Sequence, residues 1–589
     1  MSEPNASQRS DRWRLAAYVV AGCLAIAASA TSLHNGYALD DLALIVDNTR
    51  VHSLERWWHL FALPFWPPQF GASLYRPLVA LGFALQWVAG AGSPAVFHLT
   101  SIGLYALTCV LVAALALELL PARAACMTAA LFAVHPVHVE AVANAVGQSE
   151  LLAGCTAVAA SVIYLRGRRE GGPLRARAIA AIGVLFLISC LCKEHAVLLP
   201  LLLATLEAFA MHTSGNATPT LRDRARTAAP VFATMAAVGI AYVLVRTIVL
   251  GGLLGERQLV PVDGTRRVWV MLVVAPHWLR LLTWPAHLSA EYSPQAIVIP
   301  KGPGLAIVPG LAIFAAVTAA FVALGSGLEA TRSVRSTARA GLVWLAITLI
   351  PVSNLFSVML VAERTLFLPS VAVVVIVGAA VAAIDSRLAS APQARTARLA
   401  VAAVVTTLIA LGTARSASRQ RVWRDDATLF AQTVRDAPAS YRAQFFYGQM
   451  LFQQGRLAEG ERRLRLAIAL NPTPSDVSPL NYLATRYRDA RMCPQALPLY
   501  ERAMANDDRR PDVRYGLATC LLETGHWSEA RRLAEDGVRR GDLRGLFQQL
   551  IARTDSARVV DGYTAGARPS AARPDSATAR AAKTRPVSR

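Results

Sequence analysis

The sequence predicts an all-α protein in which a polytopic membrane domain is followed by a soluble α-helical repeat domain. Two observations predict this class. First, 54% of the 589 residues are hydrophobic and only 16% are charged, whereas about 25% of the residues of a soluble domain are charged. Second, the composition changes near residue 415, and amphipathic segments then recur with a period of about 34 residues. The composition therefore excludes an ordinary soluble enzyme.

About eleven apolar segments have the length and composition of membrane-spanning helices. Two further apolar segments, 78–88 and 269–284, are expected to lie at the membrane interface or to be re-entrant, because the second contains three tryptophans, an arginine and a proline, with another proline directly after it. We expect the spans at residues 15–33, 97–120, 124–142, 151–165, 179–191, 196–211, 229–250, 304–324, 341–350, 366–383 and 399–411.

Arginine placement predicts the orientation. If the N-terminus is cytoplasmic, the arginine-rich turns at 166–177, 222–226, 332–339 and 387–398 all lie inside, as the positive-inside rule requires. The net charge of +21 is then explained by topology, and no nucleic-acid partner is expected. An odd number of spans places the loop after the first span and everything beyond residue 411 outside. We therefore expect a multi-pass protein of a bacterial inner membrane, with the loop and the repeats facing the periplasm or exterior.

The period near 34 is typical of tetratricopeptide repeats, which stack into an α-solenoid whose concave face binds a peptide or protein. We assign 1–415 to the membrane domain, 416–554 to the repeat domain and 555–589, which lacks apolar periodicity, to a disordered tail. Pairing of Cys493 with Cys520 is left open. Small and large consensus positions are filled by Gly448, Leu451 and Ala467 in the first copy, Ala484, Tyr487 and Ala503 in the second, and Ala518, Leu521 and Ala534 in the third.

Two adjacent carboxylates, Asp40 and Asp41, directly follow the first span. Carboxylates at a membrane exit are costly unless they carry out chemistry or bind a cation. Other polar residues are expected on the same side. His135 and His138 either resemble half of a metal site or form a histidine pair whose hydrogen bonds are satisfied. Lys193 and the adjacent Glu194 form either an anion site or an internal ion pair. The remaining members of this set are Glu140, Glu150, Glu194, Glu291, Glu363 and Arg364.

As an ordered set, these motifs resemble the transmembrane and tetratricopeptide-repeat-containing O-mannosyltransferases over nearly the whole chain to residue 541. Three features depart from the family pattern: Glu291 stands where Asp is common, His195 where Thr is common, and only about three repeats follow the membrane domain. The motifs are 37–48, Tyr75-Arg76-Pro77, Phe97-His98-Leu99, 135–140, 147–152, Lys193-Glu194, Trp284-Pro285, 288–293, 351–354 and Glu363-Arg364.

The resemblance implies a glycosyltransferase C fold and transfer of a hexose, mannose by the family name, from a polyprenyl-phosphate donor to Ser or Thr hydroxyls of a protein outside the membrane. Asp40 or Asp41 would be the catalytic base or would hold a divalent cation, Mg²⁺ or Mn²⁺. Arg76, Lys193 and Arg364 would bind the donor phosphate. The supporting residues would be His135, His138, Glu140, Glu150, Glu194, Glu291 and Glu363. Membrane lipid and a protein acceptor bound by the repeats are the expected partners, and a non-enzymatic membrane scaffold for envelope assembly is the alternative.

Overall fold

The computed structural model describes residues 6–68, 73–169, 172–210, 220–252, 264–292, 297–325, 332–355, 360–388, 394–471, 476–541 and 543–566. Helices dominate these ranges and no strand occurs in them, which confirms the predicted all-α class. The chain forms two compact units, Met1–Pro472 and Thr473–Arg589.

The first unit begins with a bundle of apolar helices. Its helices up to residue 420 are α1 (Ala6–Ser29), α2 (Pro77–Gly90), α3 (Pro94–Leu119), α4 (Ala122–Ala133), α5 (Val139–Ala143), α6 (Gln148–Arg168), α7 (Ala176–Cys192), α8 (Leu199–Phe209), α9 (Leu221–Leu250), α10 (Gly264–Thr283), α11 (Val308–Ala323), α12 (Arg332–Leu349), α13 (Phe367–Arg387) and α14 (Ala394–Gln420).

Seven helical segments in the described ranges are long and apolar enough to cross a membrane, and an eighth is added if α4 and the segment Pro136–Ala143, bent by 45°, form one span. The protein is therefore a multi-pass membrane protein. Each of the eleven predicted spans overlaps a helix, but α7 and α8 are short, and α12 has three arginines in its first eight residues. The number eleven stays a prediction.

The bundle is held by close helix contacts at small residues. Ala17, Ala21 and Ala25 lie on one face of α1 and are fully buried where that helix packs against α3 and α4. Small residues at intervals of four let two helix backbones approach closely, which raises the dispersion contacts between them in an apolar solvent. The alanine-rich composition of this segment is therefore a packing feature.

The two ends of the bundle carry different charges. The helix α6 begins with the buried Glu150 and ends with the buried Arg168, about 30 Å away for a helix of this length. At the end of the bundle that holds Arg168, the Arg168 guanidinium pairs with Glu207 at 2.7 Å. Arg123 pairs with Asp385 at 2.7 Å. The arginines that sequence analysis places inside therefore gather at the end opposite to Glu150.

The repeat region consists of paired helices, as predicted. In the first unit, α15 (Asp426–Asp436) precedes the pair α16 (Tyr441–Gln453) and α17 (Leu457–Leu470). A Cβ atom on Gly448 would lie 3.0 Å from Leu464 and 3.2 Å from the carbonyl oxygen of Gly460, so a small residue is required where this pair crosses. The second unit contains α18 (Ser478–Asp489), α19 (Cys493–Asn506), α20 (Pro511–Glu523), α21 (Trp527–Arg540) and α22 (Arg544–Gly566).

The C-terminal tail differs in part from its prediction. The last helix, α22, continues to Gly566, so residues 555–566 are helical although their composition favours disorder. Its first half packs against α21, and Phe547 of that half is fully buried. The helix then continues through the following residues, because extending an existing helix is easier than starting one. Residues 567–589 lie outside the described part of the chain.

The cysteines of the second unit form a disulfide between Cys493 of α19 and Cys520 of α20, which answers the question left open by the sequence. The bond joins residues 27 positions apart, and closing a loop of that length in the unfolded chain contributes roughly 3 kcal/mol to stability. We expect a reducing agent to lower the urea midpoint of the repeat region accordingly. A Cys493→Ser, Cys520→Ser double variant, which has no bond to reduce, should not respond. Equal midpoints with and without reductant in the wild type would contradict this expectation.

Candidate active site

Asp41 is held inside the protein by backbone amides. Its side chain is fully buried, and its two oxygens accept hydrogen bonds from the amides of Val146 at 2.9 Å and Ala145 at 3.2 Å, with a longer bond of 3.4 Å from Ala38. Burial raises the pKa of Asp41 to about 7 although these amides lower it. The hydrogen bonds of Asp41 thus connect the loop after α1 to the turn before α6.

Asp40 lies in a different environment from its neighbour. Leu39, the residue before Asp40, has a left-handed backbone with φ of 58°. The Asp40 side chain keeps 25% exposure, and its carboxylate lies 3.6 Å from the Arg364 guanidinium. The apolar residues Leu44 and Ile45 are buried just after it and anchor the loop. Asp40 is therefore the more exposed of the two carboxylates.

Arg364 joins Asp40 to a second carboxylate. Glu140, buried on the short helix α5, pairs with the Arg364 guanidinium and also accepts the Arg364 amide at 2.9 Å. A turn at Glu363–Leu366, just before α13, fixes the backbone at this point. The Arg364 backbone amide and its Nη1 thus bind the two Glu140 oxygens, while its Nη2 lies toward Asp40.

Lys193 lies between α7 and a turn at Glu194–Leu198. Its ammonium group pairs with Glu150 at 2.7 Å, and the His195 ring nitrogen lies 3.6 Å from the other Glu150 oxygen. Burial lowers the pKa of Lys193, as do the positive charges of Arg76 and Arg364, while Glu150 raises it. Arg76 pairs with Glu194, the residue after Lys193, and the crevice lined by both His195 and Thr365 brings this segment next to Arg364.

Arg76 forms a two-pronged ion pair with Glu194, in which its Nε and Nη2 donate at 3.0 and 2.8 Å to Oε2. The Tyr75 amide donates to the same carboxylate at 3.3 Å. Burial would raise the pKa of Glu194, but the charge and hydrogen bonds of Arg76 lower it to about 2. Seven predicted residues thus meet at one end of the bundle and are named the charge cluster below: Asp40, Arg76, Glu140, Glu150, Lys193, Glu194 and Arg364.

Glu363 and Glu291 border the charge cluster but have their own partners. Glu363 is buried and accepts bonds of 2.6 Å from the Ser289 amide and from the Tyr292 hydroxyl. Glu291 pairs with Arg442 of α16 at 3.1 Å, and burial raises its pKa against the opposing charge of Arg442. These two carboxylates position the 288–292 segment beside the cluster.

His135 and His138 do not join the cluster. The His138 ring nitrogens lie 2.9 Å from the Tyr105 hydroxyl and 2.8 Å from the Ser370 hydroxyl, and a His135 nitrogen lies 3.1 Å from the Leu282 carbonyl oxygen. Among the described residues, no group of three His, Cys, Asp or Glu side chains has the arrangement of a metal site. The geometry favours the satisfied histidine pair over half of a metal site.

Two residues near the predicted carboxylates were not singled out by the sequence analysis. Asn144 is buried next to the amides that hold Asp41, and its side-chain nitrogen has no hydrogen-bond partner among the residues that the structure describes. Asp426, the first residue of α15, accepts the Leu39 amide at 2.7 Å. In a sequence, a carboxylate at a helix start is interpreted as a capping residue. The contact between Asp426 and Leu39, which lie 387 positions apart, therefore has no sequence signal.

Comparison with known proteins gives a sequence match in each part of the chain. A tetratricopeptide-repeat profile matches residues 489–554, which confirms the predicted repeats. Protein O-mannosyl-transferase Tmtc1 of Drosophila melanogaster is 26% identical over 78% of this chain and 62% of its own length. Human TMTC4, with the same description, is 25% identical over 74% of this chain and 64% of its own. The chain spans about three fifths of the length of these relatives.

Among solved structures, an oligosaccharyltransferase of Archaeoglobus fulgidus tethered to an acceptor peptide aligns with a TM-score of 0.41 and 13% identity, over 69% of this chain and 55% of that one. Among the relatives found by sequence, human TMTC3 matches at 31% identity over a shorter stretch, 28% of this chain and 19% of its own length. Over about three quarters of its length, the chain is similar to protein O-mannosyl-transferases, and this confirms the family resemblance that the ordered motifs predict.

Proposed function

We propose that the protein is a membrane glycosyltransferase that moves a hexose from a polyprenyl-phosphate donor to a Ser or Thr hydroxyl of a protein. One observation carries the proposal: the partly exposed carboxylate of Asp40 lies beside Arg364, at the end of the bundle that also holds the ion pairs of Lys193 and Arg76. A base and several cations at a membrane surface are what transfer from a lipid phosphate to an alcohol requires.

The chemistry follows from these positions. Asp40 takes the proton of the acceptor hydroxyl as its oxygen attacks the anomeric carbon of the sugar. The bond between that carbon and the phosphate oxygen breaks, and the lipid phosphate leaves with the electron pair. Lys193 and Arg364 stabilise the negative charge on the leaving phosphate. A single displacement of this kind inverts the anomeric configuration and needs no nucleophile from the protein.

The charge balance limits how the donor phosphate binds. The charge cluster contains four carboxylates and three basic side chains, so it offers no excess positive charge. The proton that Asp40 receives removes one negative charge during transfer. A divalent cation bound by Asp40 and the phosphate would have the same effect before transfer. Asp41 is fully buried, so the more exposed Asp40 would be the protein ligand of the cation.

A narrow apolar crevice, too small in this structure to hold a lipid chain, lies next to the charge cluster. It begins at His195 and Thr365 and runs between α6, α8 and α13. The residues that line its length include Ala157, Leu199, Leu202, Val352, Leu368 and Pro369.

The orientation is part of the proposal. The arginine-rich end opposite to the charge cluster favours the cytoplasm, which puts the cluster on the periplasmic or exterior side of a bacterial inner membrane. The disulfide between Cys493 and Cys520 supports an oxidising compartment for the repeats. We assign the recognition of the protein acceptor to those repeats, because stacked helix pairs present an extended binding surface.

The test is transfer by the purified protein in detergent. Polyprenyl-phosphate mannose, glucose and galactose are supplied separately with a pool of peptides from an envelope proteome, and mass spectrometry reads hexose added to Ser or Thr. We expect one donor to give modified peptides with the wild type and none with Asp40→Asn. A parallel reaction with EDTA separates the two roles of Asp40: unchanged turnover supports the base, and loss restored by Mg²⁺ or Mn²⁺ supports the cation. No product with any donor would favour the scaffold.

A further inference from the structure

The loop that carries Asp40 is tied to the segment that leaves the last span. The Asn35 side chain donates to the Gln420 carbonyl at 2.9 Å, and the Gly36 amide donates to the Arg424 carbonyl at 2.7 Å. One turn earlier, the Thr31 hydroxyl donates to the Ala417 carbonyl at 2.9 Å. The loop therefore follows any movement of residues 417–424.

Asp426 extends this contact to the residue next to Asp40. The Asp426 carboxylate accepts the Leu39 amide at 2.7 Å, and Leu39 has the left-handed φ of 58°. This conformation is unfavourable for a residue with a side chain, so it persists only where neighbouring contacts hold it. Around the same turn, Ala38 is buried with Trp423 and with Leu429 of α15.

We infer that Asp426 is a positioning residue for the transfer reaction: its hydrogen bond to the Leu39 amide fixes the turn that presents the Asp40 carboxylate. The inference rests on the function proposed above. It assigns part of the active-site geometry to α15, the helix that leads from the last span to the repeats. A small displacement of a reacting group lowers turnover strongly, by up to about 100-fold for 1 Å.

Three variants of α15 separate this role from simple stability. Asp426→Ala removes the acceptor of the Leu39 amide, whereas Asp426→Asn keeps an oxygen that accepts the bond. Asp425→Ala is the matched control, because Asp425 caps the same helix through the Thr428 amide at 2.7 Å. Asp426→Ser serves if the Ala variant fails to fold, since its hydroxyl favours a helix start but is too short to reach Leu39.

We expect kcat in Asp426→Ala to fall by roughly 10- to 100-fold with an unchanged KM for the donor. Asp426→Asn and Asp425→Ala should stay within about threefold of the wild type, since neither removes the bond. Hydrogen exchange at the Leu39 amide, read on peptides spanning 36–42, should accelerate at least about tenfold in the Ala or Ser variant only.

Three results would overturn the inference: wild-type kcat and exchange in both the Ala and Ser variants, equal loss in Asp426→Asn, or equal loss in Asp425→Ala. Equal loss with Asn would mean that the charge of Asp426 matters and not its bond to Leu39. The exchange measurement needs no turnover. If the wild type transfers no sugar, the proposed function fails, while the exchange rates still decide whether Asp426 holds the turn.

Discussion

Asp40→Asn is expected to lower turnover by roughly two orders of magnitude or more with little change in thermal stability. The amide is the same size as the carboxylate but neither takes a proton at neutral pH nor binds a cation well. The Asp40 side chain is partly exposed and meets Arg364 at 3.6 Å, a weak contact. The measurement is single-turnover transfer of radiolabelled hexose, with the unfolding midpoint determined on the same preparation.

Asp41→Asn should behave differently and therefore serves as the comparison. Both Asp41 oxygens accept amide hydrogens, so an amide nitrogen at one of these positions faces a donor and loses a bond. We expect a stability loss of about 1 to 3 kcal/mol. Wild-type turnover in Asp40→Asn would end the assignment of the base. Equal stability losses in both variants would contradict the different environments of the two carboxylates.

The stability difference between wild type and Asp41→Asn should also depend on pH. Because folding raises the pKa of Asp41 to about 7, the native state binds more protons than the unfolded state between about pH 4 and pH 7. This contribution to wild-type stability is present at low pH and is lost as the pH rises through that window. The variant has no such group, so the difference in midpoint should narrow from pH 5 to pH 8.

Lys193→Gln is expected to lower both stability and donor affinity, and a second substitution separates the two effects. The single change leaves the buried Glu150 without its cation at 2.7 Å, which costs about 3 to 5 kcal/mol. In the double variant Lys193→Gln, Glu150→Gln, two neutral amides can bond to each other, so the unfolding midpoint should recover. The apparent affinity for the donor should stay at least about tenfold weaker, because no ammonium group meets the phosphate.

The matched control is the buried pair at the other end of the bundle. Arg168→Gln, Glu207→Gln removes an ion pair of the same length, 2.7 Å, and should leave donor affinity unchanged because it lies about 30 Å away along α6. Donor affinity is measured by titrating a spin-labelled polyprenyl phosphate. Recovery of donor affinity together with stability in the Lys193, Glu150 double variant would remove Lys193 from phosphate binding.

The sequence by itself determined the class of this protein, because apolar length and repeat period are local properties that a chain shows without its fold. It also determined which polar residues stand at helix ends, and thereby most members of the charge cluster. Their pairing could not be read from it. Arg76 meets Glu194 across 118 positions, and Arg364 meets Glu140 across 224.

The difference between Asp40 and Asp41 shows what only the tertiary structure decided. Two adjacent carboxylates are equivalent in a sequence, and both were predicted as catalytic candidates. In the folded chain the left-handed turn at Leu39 and the amides of Ala145 and Val146 bury one and leave the other beside Arg364. Hydrogen bonds between distant segments set the direction of each side chain, and no local pattern encodes such a direction.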